Sequence, residues 1–237
     1  MYKVFFGNKL NYFELNEVIK QLKLGKSLIR WGDGETALAR NKDIWFQSSN
    51  SVLAIQLNNF WINQHDEIVF SLPRKAIEKN IFQYLIRRHD FWKEFSSRVY
   101  FASKNYQIRS RKFSESHIWY QNFEVLIPAL VEIIKSKPVL LIASDIDIFK
   151  HLKNTFSKID FIQIPKKEIF SEKNLISDKI DKWVDKNSDN GKPVILLAAG
   201  PIGKLLAYDK NRSAQFIDIG YGFAFELGKE IIIVERD

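Results

Sequence analysis

The sequence predicts an α/β sandwich built on a mainly parallel sheet. Two continuous apolar runs, Pro138-Val-Leu-Leu-Ile-Ala143 and Pro193-Val-Ile-Leu-Leu-Ala-Ala199, have the character of strands buried on both faces. Amphipathic stretches lie between such runs, and turn-forming residues punctuate them at short intervals. Strand, crossover helix and strand then recur, the order that specifies a parallel sheet covered by helices.

From the N-terminus, Leu15, Val18, Ile19 and Leu22 form a helical stripe over Glu14–Leu24, with Gly25 placed to end it. Ser27–Trp31 reads as a short strand running into Gly-Asp-Gly-Glu, with a helix starting at Thr36. Ser51–Gln64 is expected to be helical, with Leu53, Leu57, Phe60 and Trp61 on one face. Glu67–Leu72 is a strand stopped by Pro73, Lys75–Arg88 a helix, and Arg98–Ser103 a strand. Glu115–Lys135 is largely helical, but Pro128 must kink or split it. In the second half, Ile146–Phe156, Glu168–Lys186 and the stretch from Gly200 through Tyr208 are predicted helices. Asp160–Ile164, Gln215–Ile219 and Glu230–Glu235 are predicted strands, the last at an edge. No repeat or linker interrupts the chain, so residues 1–237 are read as a single domain.

The composition, 46% hydrophobic and 27% charged, is that of a globular chain. With no cysteine among 237 residues, disulfides, thiolate metal sites and a cysteine nucleophile are excluded. No signal-like N-terminus and no apolar run of membrane-spanning length are seen, which reads as soluble and cytoplasmic. The net charge of +8 favours anionic partners: nucleic acid, an acidic membrane surface or phosphorylated small molecules. The same excess of lysine also suits a merely solvated surface.

In a parallel sheet, ligands gather outside the carboxyl ends of the strands. The loops that matter are then Trp31–Glu35, Ser144–Asp147, Gly200–Lys204 and Asp218–Tyr221. In Arg30-Trp31-Gly32-Asp33-Gly34-Glu35, two carboxylates stand two residues apart at a strand end, each preceded by glycine. In an extended turn they face one point, which suits Mg²⁺ or Mn²⁺, with Gly32 and Gly34 letting backbone approach a diphosphate and Arg30 neutralising it. An ordinary Asp-Gly turn has the same spelling.

Ala199-Gly200-Pro201-Ile202-Gly203-Lys204 opens a helix with small residues, which offers N–H groups and the Lys204 charge to a phosphate, or simply close helix–strand packing. Asp218, at the end of Phe216-Ile217-Asp218-Ile219-Gly220, is an acid costly to bury unless paired or functional. Lys104, Arg109, Arg111 and Lys112, interleaved with Tyr100, Phe101, Tyr106 and Phe113, suit nucleic acid, a phosphate or a solvated loop. None of His65, His89, His117 and His151 stands at metal-ligand spacing from another, and no G-x-S-x-G elbow supports acyl transfer.

Several of these segments resemble, in order, the blocks of the bacterial GT-D type glycosyltransferases. Arg30–Glu35 resembles the family's R-[YF]-G-D-G-E block, and Phe46-Gln47 with Leu53 and Leu57 its next one. Leu196–Pro201 followed by Leu206-Ala207-Tyr208-Asp209 resembles its "GP…LAYDL" segment, and Ile217-Asp218-Ile219-Gly220 its "AIDIGH" segment. Tyr221 stands where the family has histidine, and Ser144-Asp145-Ile146-Asp147 replaces an Arg- and Gly-rich loop.

The resemblance implies a Rossmann-like three-layer sandwich and a UDP-sugar donor. It implies Mn²⁺ or Mg²⁺ on Asp33 and Glu35, and work in surface glycan or glycoprotein assembly. On this reading Asp33, Glu35 and Asp218 carry the chemistry, and Arg30, Gly32, Gly34, Gly200, Gly203 and Lys204 hold the donor. Asp145, Asp218 and Glu226 remain alternative bases. The acceptor is a glycan, a lipid-linked sugar or a protein, and the inner membrane surface is left open as a contact. The rival readings are a basic nucleic-acid-binding domain and a family member that acts as a non-catalytic partner.

Overall fold

The computed structural model describes residues 10–62, 66–74, 111–154, 156, 158–189, 191–210 and 213–220. The expected elements at 75–88, 98–103 and 230–235 lie outside these residues.

The strands are β1 (Asn11–Tyr12), β2 (Ser27–Arg30), β3 (Ile68–Leu72), β4 (Lys112–Glu115), β5 (Val139–Ala143), β6 (Ile159–Gln163), β7 (Val194–Ala198) and β8 (Gln215–Asp218). They form one sheet in the order β1-β4-β3-β2-β8-β7-β5-β6. All pairings among these strands are parallel. The helices are α1 (Leu15–Lys23), α2 (Asp33–Leu38), α3 (Ser51–Ile62), α4 (Ile118–Gln121), α5 (Phe123–Ile134), α6 (Ile146–Lys153), α7 (Lys173–Asn187) and α8 (Gly200–Lys210).

Alternation along each strand sends neighbouring side chains to opposite faces. Leu28, Leu141, Leu196 and Ile217 pack with Val18, Trp119, Leu130 and Leu152 from α1, α4, α5 and α6. Ile29, Leu140, Leu197 and Phe216 pack with Leu38, Leu57, Ile180 and Leu206 from α2, α3, α7 and α8. The sheet is thus the middle layer of three, and the predicted α/β class holds.

Local chemistry accounts for the ends of α1: the Glu14 N–H donates to Glu17 Oε2 at 3.0 Å, and Gly25, at φ +80°, ends the helix. Three expectations are corrected. Helix α2 starts at Asp33, not Thr36, because Glu35 reaches back to the Gly32 N–H as an N-terminal cap. Helix α5 is not split at Pro128; the break falls at Asn122, whose φ of −134° leaves helical space. The segment after Glu168 opens with a 3₁₀ turn, Ile169–Glu172, before α7 begins.

Candidate active site

Adjacent strands β2 and β8 end side by side in Arg30 and Asp218. The Arg30 N–H donates to Asp218 Oδ2 at 3.2 Å, and Arg30 Nη2 lies 3.4 Å from Asp218 Oδ1. Helices α2 and α8 start above these strand ends and add Glu35 and Lys204. Lys204 Nζ is 2.8 Å from Asp218 Oδ2 and 3.0 Å from Glu35 Oε1. Glu35, Lys204 and Asp218 are all buried, at 7%, 4% and 3% exposure, so these contacts are screened little by solvent.

Burial alone would depress the Lys204 ammonium, but the Asp218 carboxylate, and then Glu35, hold it above its ordinary value; Arg30 opposes them. Burial likewise works against an ionised Asp218, yet Lys204 and then Arg30 hold its carboxyl below its ordinary value. Asp218 therefore contributes stability above its ordinary 3.8, which is lost as acid takes the pH down toward its depressed value. Lys204 contributes below its ordinary 10.5, and that share is lost as the pH rises through its raised value. The stability gap between wild type and Asp218→Asn, read from urea midpoints, is expected to be constant from pH 5 to 9 on the order of these limits and to close in acid.

Backbone and aromatic contacts fix the cluster from outside. Trp119 Nε1 donates to the Asp218 carbonyl at 2.8 Å, and Arg30 Nη1 lies 3.5 Å from the Ser116 carbonyl. Trp31 Nε1 donates to Thr36 Oγ1 at 3.0 Å, and its ring stacks on Phe60 at 5.8 Å. Gly220 has φ +50°, and a Cβ there would sit 1.8 Å from Arg30 Nη2; a side chain there would displace the guanidinium.

Asp33 and Glu35 do not face one point. Both lie in the first turn of α2, where residues two apart diverge by about 200°. Glu35 turns inward, with Oε2 accepting the Gly32 N–H at 2.8 Å and Oε1 facing Lys204. Asp33 is exposed, and its Oδ1 accepts the Gly34 N–H at 2.9 Å. The residues as placed do not fit an Asp33–Glu35 chelate for Mn²⁺ or Mg²⁺. Among the described residues no three Asp, Glu or His side chains converge as metal ligands.

Lys204 likewise points into the carboxylates and to the Gly200 carbonyl, 3.1 Å away, not toward solvent. Gly203 serves the close approach of α8 to β7: a Cβ there would lie 3.4 Å from Ala199 Cβ and 3.5 Å from Leu197 Cδ1. Gly200, at φ +54°, is covered by Phe46, 3.1 Å from where its Cβ would be, and Gly34 packs under Ile44. The loop carrying Ile44 and Phe46 thus closes over the starts of both helices.

That loop is fastened by Gln47, from the second resembling block, and by Ser48 and Glu168, which the sequence did not single out. Glu168 accepts from Ser48 N–H at 3.0 Å, Ser48 Oγ at 2.8 Å and Gln47 Nε2 at 3.1 Å. Gln47 Oε1 accepts the Phe170 N–H at 3.0 Å. Glu168 does this from a left-handed backbone, φ 54°, uncommon for a residue with a side chain. Asp209 of the Leu-Ala-Tyr-Asp segment pairs with Lys173 at 2.9 Å, and Tyr208 meets Phe60 edge-on, so that segment joins α8 to α7 and α3.

Elsewhere, Asp145 accepts the Asp147 N–H and caps α6. In the basic, aromatic stretch, the described members serve the fold. Arg111 pairs with Asp66 at 3.4 Å, Lys112 with Glu17 at 2.9 Å, and Phe113 is fully buried. Tyr100, Phe101, Lys104, Tyr106, Arg109, Tyr221 and Glu226 lie outside the described residues.

Solved structures share this architecture. A glycosyltransferase of domain of unknown function 1792 from Streptococcus sanguinis is similar at 21% identity and TM-score 0.69, over 95% of this chain and 88% of its own. A domain of unknown function 1792 with a distinct glycosyltransferase fold is similar at 23% identity and TM-score 0.63, over 92% and 82%. No curated protein matches the chain significantly. The fold is that of a glycosyltransferase. Residues 28–224, most of the chain, match the family described as glycosyltransferase GT-D fold, and the chain belongs to that family of glycosyltransferases.

Proposed function

We propose that this protein transfers a sugar from a nucleoside-diphosphate sugar, with UDP as the nucleotide, to a hydroxyl of a surface glycan, a glycolipid or a glycoprotein. The observation that carries the reading is the buried Arg30–Asp218–Lys204–Glu35 cluster at the carboxyl ends of β2 and β8, where a parallel sheet receives ligands. Family membership supports a sugar-nucleotide donor.

The parts divide by placement. Arg30, Glu35, Lys204 and Asp218 form the rigid floor that sets the two helix starts in place. The starts of α2 and α8 lie side by side under the Ile44–Phe46 loop, and the donor diphosphate is assigned to this end of the sheet. Asp33 is the exposed carboxylate of the three expected to carry chemistry, and we assign it to the sugar hydroxyls. The divalent metal expected from the sequence has no two-carboxylate seat at Asp33 and Glu35, which turn to separate partners. No helix among the described residues is long and apolar enough to cross a membrane. The working location is the cytoplasm, where a lipid-linked acceptor would bring the protein to the inner membrane surface.

Calorimetric titration with UDP, with and without Mn²⁺, tests this reading. Wild type is expected to bind UDP, and Asp33→Asn to keep that binding while transfer falls, because the carboxylate that orients the sugar hydroxyls is lost. Absence of UDP binding under every condition would overturn the choice of donor.

A further inference from the structure

The ammonium of Lys204 has three N–H groups, and three oxygens surround it. Asp218 Oδ2 lies at 2.8 Å, Glu35 Oε1 at 3.0 Å and the Gly200 carbonyl at 3.1 Å. Two carboxylates and a backbone carbonyl are also the donor set that a hard divalent cation takes. We propose that Lys204 Nζ is a built-in cation standing where Glu35 and Asp218 would otherwise hold a divalent metal, so that neither carboxylate ligates metal in this protein.

Charge supports the assignment. Arg30 and Lys204 balance Glu35 and Asp218 one for one, within a region where three of the four residues are nearly inaccessible. A divalent ion added there would meet two cations and no spare anion, at a depth where unbalanced charge is costly. Both Glu35 oxygens are already engaged, Oε1 by Lys204 at 3.0 Å and Oε2 by the Gly32 N–H at 2.8 Å, so a metal would compete with these contacts.

Geometry supplies the converse. Mg²⁺ draws its oxygen ligands to about 2.0–2.1 Å, so the two carboxylates need close in by only about 1 Å once the ammonium is gone. Removing Lys204 should therefore create a metal site that the natural protein lacks. This goes beyond the proposed donor and does not rest on it, because the site is read with metal alone.

The experiment is Mn²⁺ titration followed by electron paramagnetic resonance, with thermal denaturation in parallel. The proteins are wild type, Glu35→Gln, Lys204→Ala and Lys204→Ala/Glu35→Gln. Wild type and Glu35→Gln are expected to titrate alike. Lys204→Ala is expected to gain one Mn²⁺ site at least tenfold tighter than anything in wild type, with a Tm raised by the metal. Adding Glu35→Gln should abolish that site. If Lys204→Ala unfolds without metal, recovery of its fold by Mn²⁺ carries the same meaning. A wild-type Mn²⁺ site lost in Glu35→Gln, or a Lys204→Ala protein that neither binds Mn²⁺ nor is refolded by it, overturns the proposal.

Discussion

Gly220→Ala is expected to lower the melting temperature by roughly 5–20 °C. Two costs combine. Left-handed backbone costs an alanine about 1–2 kcal/mol. The larger cost is steric, since a Cβ at 1.8 Å from Arg30 Nη2 cannot coexist with the guanidinium where it lies. The end of the Arg30 side chain must shift and give up its 3.4 Å contact with Asp218, which keeps Lys204 at 2.8 Å, so the cost is that of one charged hydrogen bond, about 1.5–3 kcal/mol. At about 2–4 °C per kcal/mol for a chain of this size, the sum gives the stated shift. Gly25→Ala is the internal control: its φ is +80°, but nothing lies within 4 Å of the added Cβ. It should show the backbone cost alone. In an Arg30→Ala background, Gly220→Ala should cost markedly less, because the atoms it collides with are gone. Equal losses at Gly25 and Gly220, by calorimetric scanning, would show that the contact with Arg30 carries no weight.

Asp218→Asn is expected to destabilise the protein by about 3–5 kcal/mol at neutral pH, because it leaves Lys204 and Arg30 with one carboxylate between them. An amide of the same shape keeps the packing, removes the charge and turns one accepting oxygen into an N–H donor facing Arg30 or Lys204. The loss therefore reports electrostatics in a region where Asp218 is 3% exposed, not a cavity. Against a typical total of about 5–15 kcal/mol, a loss of this size is a large fraction, and the urea midpoint should fall accordingly. A double variant, Asp218→Asn with Lys204→Met, restores the balance between Arg30 and Glu35 and should regain part of the loss. If the double variant were no more stable than the single one, the ion pair would not be the source.

The strands most legible in the sequence were those buried on both faces. β5 and β7, with Leu141 and Leu196 at their centres, lie where the apolar runs place them. β1 and β4 left no such mark: β1 has two residues, and β4 reads Lys-Phe-Ser-Glu, with Phe113 and Ser114 buried. The Gly-Asp-Gly-Glu turn misled for a different reason. Glycines on both sides suggest a loop, whereas the Glu35 side chain supplies the cap that lets a helix begin at once. Arg30, Glu35, Lys204 and Asp218 were each picked out from local spelling, but their mutual contact was not, because it depends on β8 lying beside β2. Trp119, Ser116 and Glu168 gave no signal at all; their roles are made by hydrogen bonds to segments distant in sequence.

The two strands that meet at the site are far apart in time as well as in sequence. Arg30 and Asp218 are separated by 188 residues. At translation rates of about 5–20 residues per second, the guanidinium is made roughly 10–40 s before its carboxylate. Throughout that interval the Ile29 edge of β2 has no β8 to pair with and stays open to wrong strands. The nascent chain thus holds the Arg30–Asp218 pair unfinished until β8 emerges, with the β2 edge unpaired for that interval.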